Sequence, residues 1–272
     1  MTRIFFIFLL LSPTFSFAQD YEPWEEDVDT SRFFIGINIG AFFPNHNTAD
    51  LYTGRPDVTS FGIEHIFEQP FNRQVFDDYF GAPYEIVEYT FEPRYTTSAV
   101  VGMHFQYQLD SDISFFLDFN TVQLDFEQFF TVQVDDPTNQ MPGPTLERLP
   151  VIGEENRFLL NVGTQIHYFQ GETSSGYLEL FGHFNNIQVQ SNYIVIDGIE
   201  YNIFHDNPTD PNLQPGGNGW GGGMGTGFRF LLGQRVWIDM NYHLTYAEVN
   251  LSETISENGL QNTLMVRGLW AF

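Results

Sequence analysis

From Arg32 onward, apolar and polar residues alternate with a period of two, the mark of strands whose two faces meet different surroundings. Eight segments carry the pattern, at roughly 32–43, 98–109, 112–126, 157–169, 177–191, 220–232, 235–248 and 260–272. In the second, Ala99, Val101, Met103, Phe105, Tyr107 and Leu109 form one face, and Gly102, His104, Gln106 and Gln108 the other. The seventh sets Val236, Ile238, Met240, Tyr242 and Leu244 against Asp239, Asn241, His243 and Thr245. The apolar faces are large and aromatic. The polar faces are rich in Gly, Asn and Gln, which suit a crowded interior better than a solvated exterior. A tilted strand needs about 9–11 residues to cross a bilayer, and each segment is long enough.

The connections alternate in length. Short ones fall at 110–111, 170–176 and 233–234, and long ones at 44–97, 127–156, 192–219 and 249–259. Short turns at one end and long loops at the other are the habit of outer-membrane barrels, with the short turns periplasmic. The long connections have content of their own. Residues 70–80 predict a short helix with Pro70 at its start and Gly81 as its stop, and with Phe71, Val75 and Tyr79 on one apolar face. Residues 84–91 read as a strand, so 44–97 is expected to be a folded first loop. It would either cap its own barrel or dock a partner through Phe71, Val75 and Tyr79. Asp197-Gly198 between apolar runs predicts a hairpin. Counted as a further membrane-crossing pair, that hairpin would raise the strand number to ten. Gly216-Gly217 and Gly221 to Gly223 lack the strand-to-helix setting of a phosphate loop and read as flexible loop and close strand packing.

Residues 1–18 read as a signal peptide, with Arg3, the apolar run Ile4–Leu11 and a small-x-small site ending at Ala18. The run is too short for a spanning helix, and no other stretch approaches that length. Residues 19–31 form an acidic periplasmic lead-in, and 32–272 the barrel. In hydrocarbon every backbone N–H and C=O must be paired within the protein, which leaves closure of the sheet as the remaining solution.

Composition narrows the chemistry. The chain has no Cys, so disulfides and thiolate chemistry are excluded. Every one of its 10 basic residues is Arg, which excludes a Schiff-base or P-loop lysine. A formal net charge of −25 repels nucleic acid. Such acidity also occurs in disordered chains, but those are poor in aromatics, and 17% of this one is Phe, Trp or Tyr.

The last segment places Leu264, Val266, Trp270 and Phe272 on one face. Here the sequence resembles the outer-membrane β-barrel superfamily, in particular the small OmpA/OmpX-like barrels, with the flavour of Bacteroidota barrels. The resemblance rests on the strand pattern over 32–272 and on the terminal Phe272 with Trp270 before it. It implies recognition by the barrel-assembly machinery and surroundings of outer-membrane lipid and lipopolysaccharide. The expected fold is all-β, a transmembrane antiparallel up-and-down barrel of about eight strands.

An eight-stranded barrel is just wide enough for its own side chains to fill, and buried charge is costly unless paired. Arg229 and Asp239 flank the 233–234 turn at similar depth, and Arg267 lies on the neighbouring strand. Asp118, Glu179 and the inward histidines His104, His167, His183 and His243 supply further partners. Together they are expected to form a polar plug.

Nucleophilic catalysis needs a hydroxyl beside an oriented base. No His–Ser pair shares a strand face at i, i+2, and His243 with Thr245 is the nearest approach. The acidic pairs Asp77-Asp78, Asp135-Asp136 and Glu154-Glu155 lack defined Ca²⁺ spacing and read as solvated loop charge. No cofactor or metal is implied. The leading expectation is a non-enzymatic outer-membrane protein whose extracellular loops contact other outer-membrane proteins, in an assembly or as a surface protein. A narrow pore or carrier for small or hydrophobic solutes is the second reading. A lipid A-modifying or proteolytic barrel enzyme is the third.

Overall fold

Hydrogen bonding closes the sheet on itself. A computed structural model describes residues 33–136, 143–205, 215–251 and 255–272. The expected signal peptide at 1–18 and the acidic lead-in at 19–31 lie outside the described residues. The ring consists of β1 (Phe33–Phe43), β3 (Ser98–Gln108), β4 (Ile113–Val134), β5 (Thr145–Gln170), β6 (Ser174–Ile196), β8 (Gly216–Leu231), β9 (Val236–Asn250) and β10 (Ser256–Ala271). Each pairs antiparallel with its neighbours, and β1 pairs with both β3 and β10, so eight strands form a closed barrel. Among the described residues, no helix is long and apolar enough to cross a membrane.

Two strands lie outside the ring. β2 (Tyr84–Glu88) pairs only with β4, and β7 (Ile199–Asn202) only with β6. The Asp197-Gly198 hairpin is present, with both residues at positive φ (53° and 73°), as a tight turn of this type requires. It is an appendage of four-residue depth, so the ten-strand alternative does not hold.

The strands are longer than the alternation indicates. Residues 127–156, read as a loop, are mostly strand: β4 runs on to Val134 and β5 begins at Thr145. β8 starts at Gly216 rather than near 220, so Gly216 and Gly217 are strand residues. A Cβ on Gly216 would lie 2.4 Å from the Ile187 carbonyl oxygen, so close strand approach accounts for that glycine. The barrel is therefore lopsided. Beyond its common rim, β4, β5 and β6 rise as a sheet, with β2 and β7 at its margins.

The lower exterior is apolar on every strand. On β5 the outward positions from Phe158 to Tyr168 are almost all apolar. Ten steps of about 3.3 Å at a tilt of about 40° give a band of roughly 25 Å, the height of a bilayer's hydrocarbon. Aromatics mark its upper margin, with Phe119 near Phe158 and Phe184 near Trp220. Above it the outward residues turn polar at Thr121, Gln123, Asn156, Asn186 and Gln188. This is the transmembrane β-barrel fold.

The first loop folds over the long-loop end. A 3-10 helix (Asn47–Thr53), α1 (Ile63–Glu68) and α2 (Pro70–Phe80) lean on the inner face of the raised sheet. Gly81 ends α2 in the left-handed conformation. Leu51, Tyr52, Ile63, Ile66, Phe67 and Phe76 share one core with Leu124, Phe126, Phe130, Val132, Val151, Ile194 and Ile196. The helix face differs from the expected one. Phe76, fully buried, and Asn72 point inward, and Val75 packs at the core's margin. Phe71 is 83% exposed, and Tyr79 donates a hydrogen bond to Glu147.

Candidate functional site: the lumen and its cap

Strand parity delivers the polar side chains to the lumen, and register sets their height. Arg229 on β8 lies directly opposite Asp239 on β9. Its guanidinium makes a fork, with Nε donating to Asp239 Oδ1 (2.7 Å) and Nη2 to Oδ2 (2.8 Å). Nη2 also donates to Gln106 Oε1 at 2.7 Å, and the Tyr177 hydroxyl donates to Asp239 at 3.1 Å.

Arg267 on β10 reaches across the barrel. Its guanidinium lies 3.2 Å from Asp118, 3.2 Å from Glu179 and 3.6 Å from Asp239, and Nε donates to Asn38 Oδ1 at 3.0 Å. Asp118 also meets His104 Nδ1 (2.7 Å) and accepts from Asn38 Nδ2 (3.0 Å). Glu179 also meets His243 Nε2 at 2.5 Å. Asp118, Glu179, Asp239 and Arg267 are fully buried, so each charge depends on the others for the solvation that water no longer provides.

His183 and His167 stand apart from this cluster. His183 bonds to Asn161 (2.7 Å) and Gln261 (3.3 Å), both neutral. His167 is half-buried, its ring edge-on to Tyr177. Asn38, Gln106 and Tyr177 complete the network without having been singled out in the sequence. Their inward parity is visible there, but an amide or a phenol says nothing of its partner.

The lumen is closed at both ends of the charged layer. Toward the short turns, Phe34, Leu269 and Ala271 form a small apolar cluster, and Arg229 lies 5.2 Å from the Phe34 ring centroid. Toward the long loops a second polar knot ties the cap to the barrel wall. Glu155 receives the Tyr52 hydroxyl (2.6 Å), the Tyr95 hydroxyl (3.2 Å) and Arg157 Nε (2.5 Å). Burial, and then the Glu155 carboxylate, push both phenols well above their ordinary range, so they remain donors. Gly153 makes room for the knot: a Cβ there would fall 2.1 Å from Tyr52 Cδ1. Glu155 is thus an interior ion-pair partner, which corrects its reading as solvated loop charge. The loop tyrosines that bury it are remote in sequence. Among the described residues, no three His, Asp or Glu side chains are grouped to hold a metal.

No family model matches the chain, and no curated protein matches it. Among solved structures it is similar to Neisserial surface protein A (10% identity, 88% of this chain, 97% of that one, TM-score 0.46). It is also similar to the outer membrane protein OprG from Pseudomonas aeruginosa (10% identity, 89% and 97% covered, TM-score 0.42). A third is Ail, the attachment invasion locus protein of Yersinia pestis, in complex with a heparin analogue (10% identity, 88% and 98% covered, TM-score 0.35). These likenesses concern fold alone; the closed eight-stranded antiparallel barrel stands on the chain's own strand pairing.

Proposed function

We propose that the protein is a non-enzymatic component of a bacterial outer membrane that binds a protein partner through the sheet rising from its long-loop end. In this reading residues 1–18 direct export and are removed near Ala18. Trp270 and Phe272 serve the barrel-assembly machinery, and the long-loop end faces outward.

One observation carries the reading. Above the polar belt, the outward face of the raised sheet becomes apolar again. Phe129 lies opposite Pro150, and Ile152 opposite Tyr193, with Val195 beside them. Arg148 covers the Phe129 ring at 5.1 Å. Apolar surface in the lower band needs no partner because lipid covers it. A contiguous apolar patch above the belt meets water, and such patches mark interaction sites. Its rim is acidic: Tyr193 is pushed up by burial and by the carboxylates of Glu200, Glu154 and Glu127. The partner's matching surface is accordingly basic around an apolar centre. The filled lumen argues against the narrow-pore alternative.

Affinity purification of the full chain in mild detergent tests this. A stoichiometric partner is expected with the native protein. It should be lost from a Phe129→Asp, Ile152→Asp variant that still folds. A partner retained by that variant would refute the assigned surface. A steady unitary conductance in planar bilayers would favour the pore.

A further inference from the structure

The polar belt contains a concavity. A cavity of about 520 Å³ opens on the barrel exterior where the raised sheet leaves the membrane band. Two cross-strand rows line it. The upper row is Gln123, Asn156 and Gln188 and the lower row is Thr121, Phe158 and Asn186, with the apolar Ala99 and Val101 of β3 closing one end. With strands about 4.8 Å apart and two-residue steps of about 7 Å, the array covers roughly 10 by 7 Å, the footprint of one or two sugar rings.

The chemistry of the lining is selective. Five of these six side chains are uncharged amides or hydroxyls; an amide carries two donors and an acceptor, of which Asn186 commits one donor to Asn218 (2.8 Å) and Gln123 one to Asp125 (3.5 Å). Among the described residues, neither the Asn156 nor the Gln188 amide has a side-chain hydrogen bond within the protein. Thr121 bonds only weakly, to the Val101 carbonyl at 3.3 Å. Arg157 also lines the cavity, but its side chain is buried and its guanidinium is paired with Glu155. Asp125 and Glu154 stand one outward step above on β4 and β5 and repel anions. Phosphate and sulfate groups are thereby disfavoured, while neutral hydroxyls find both donors and acceptors. Phe158 adds an apolar floor for the carbon face of a ring. The array sits immediately above the apolar band, at headgroup height.

We propose that this groove binds an uncharged glycosyl headgroup of a membrane lipid, with the lipid's chains lying along the apolar face below. The inference is independent of the partner surface, which lies higher on the sheet.

The test uses the full chain, isotope-labelled, in phosphatidylcholine nanodiscs, with side-chain amide NMR signals of Asn156 and Gln188 as the readout. Octyl glucoside should shift both signals saturably, and Asn156→Leu or Thr121→Val should weaken its binding at least tenfold. Octyl tetraoxyethylene, which shares the chain but lacks the sugar, should give no saturable shift, and free glucose should bind far more weakly. An equal response to the sugar-free detergent would overturn the proposal. Free glucose binding as tightly as the glucoside would overturn the lipid source.

Discussion

Replacing Arg267 with Met should destabilise the barrel more than any substitution on its lipid face. The native guanidinium lies 3.2 Å from each of two carboxylates and 3.6 Å from a third. At an effective dielectric near 20, each 3.2 Å contact is worth about 5 kcal/mol before desolvation is subtracted. Removing one member of such a set leaves uncompensated buried charge, which costs about 3–5 kcal/mol. Arg229 cannot compensate, because its fork is already held by Asp239 and Gln106. His104 and His243 remain on Asp118 and Glu179 but supply a full charge only when protonated. Denaturant unfolding in lipid vesicles, followed by tryptophan fluorescence, measures the loss. Val266→Met, one residue away and facing lipid, is the control and should change stability by less than about 0.5 kcal/mol. Adding Glu179→Gln to the Arg267 variant should recover part of the loss. A loss below about 1 kcal/mol for Arg267→Met would refute the account of the lumen as an interdependent ion-pair network.

Three further outcomes are expected. Phe76→Ala should cost about 3–5 kcal/mol of cap stability and speed hydrogen exchange across 47–80, while Phe71→Ala, at an exposed site, should stay within about 0.5 kcal/mol. Gly153→Val should displace the Tyr52 ring and expose the 3-10 helix to protease, whereas Gly182→Ala, whose added carbon meets nothing closer than 3.9 Å, should be silent. His205 Nε2 accepts from Asn192 Nδ2 at 2.9 Å, and burial lowers the His205 pKa from 6.5 to about 4. The unfolded chain therefore binds the extra proton between those values. Stability is intact above pH 6.5 and declines toward pH 4, by at most roughly 3 kcal/mol for a half-buried ring. Exchange of the 199–205 segment should accelerate over that window, and the acceleration should vanish in His205→Gln.

How much could be read from the sequence follows from what each signal encodes. Alternation is sharp where one face meets lipid and the other a polar interior, so the lower strands stand out. Above the belt that contrast fails. Phe129 and Phe130 are adjacent, one outward and one inward, and Val151-Ile152 repeats this after Pro150, which itself reads as a strand breaker. Parity gives the face of a residue but not its height. Arg229 and Asp239 can be paired from the sequence because a short turn fixes their register. Arg267 meets Asp118 only because the sheet closes, and His183 shares their face at a different level. For α2, the four-residue spacing of Phe71, Val75 and Tyr79 marks a stripe, yet the cap is anchored by Phe76. The helix rotates to bring that ring against Phe67 at 4.8 Å and Tyr201 at 5.0 Å.

Because the chain lacks cysteine, single-cysteine labelling gives the most direct test of the division between lipid-covered and water-facing exterior. Val162 and Leu146 both lie on β5 and are 55% and 61% exposed on the bare protein. A membrane-impermeant maleimide supplied to both sides of lipid vesicles should label Leu146→Cys rapidly and leave Val162→Cys unmodified until the protein is unfolded. Equal labelling of the two positions in intact vesicles would contradict the assignment of the lower band to the membrane.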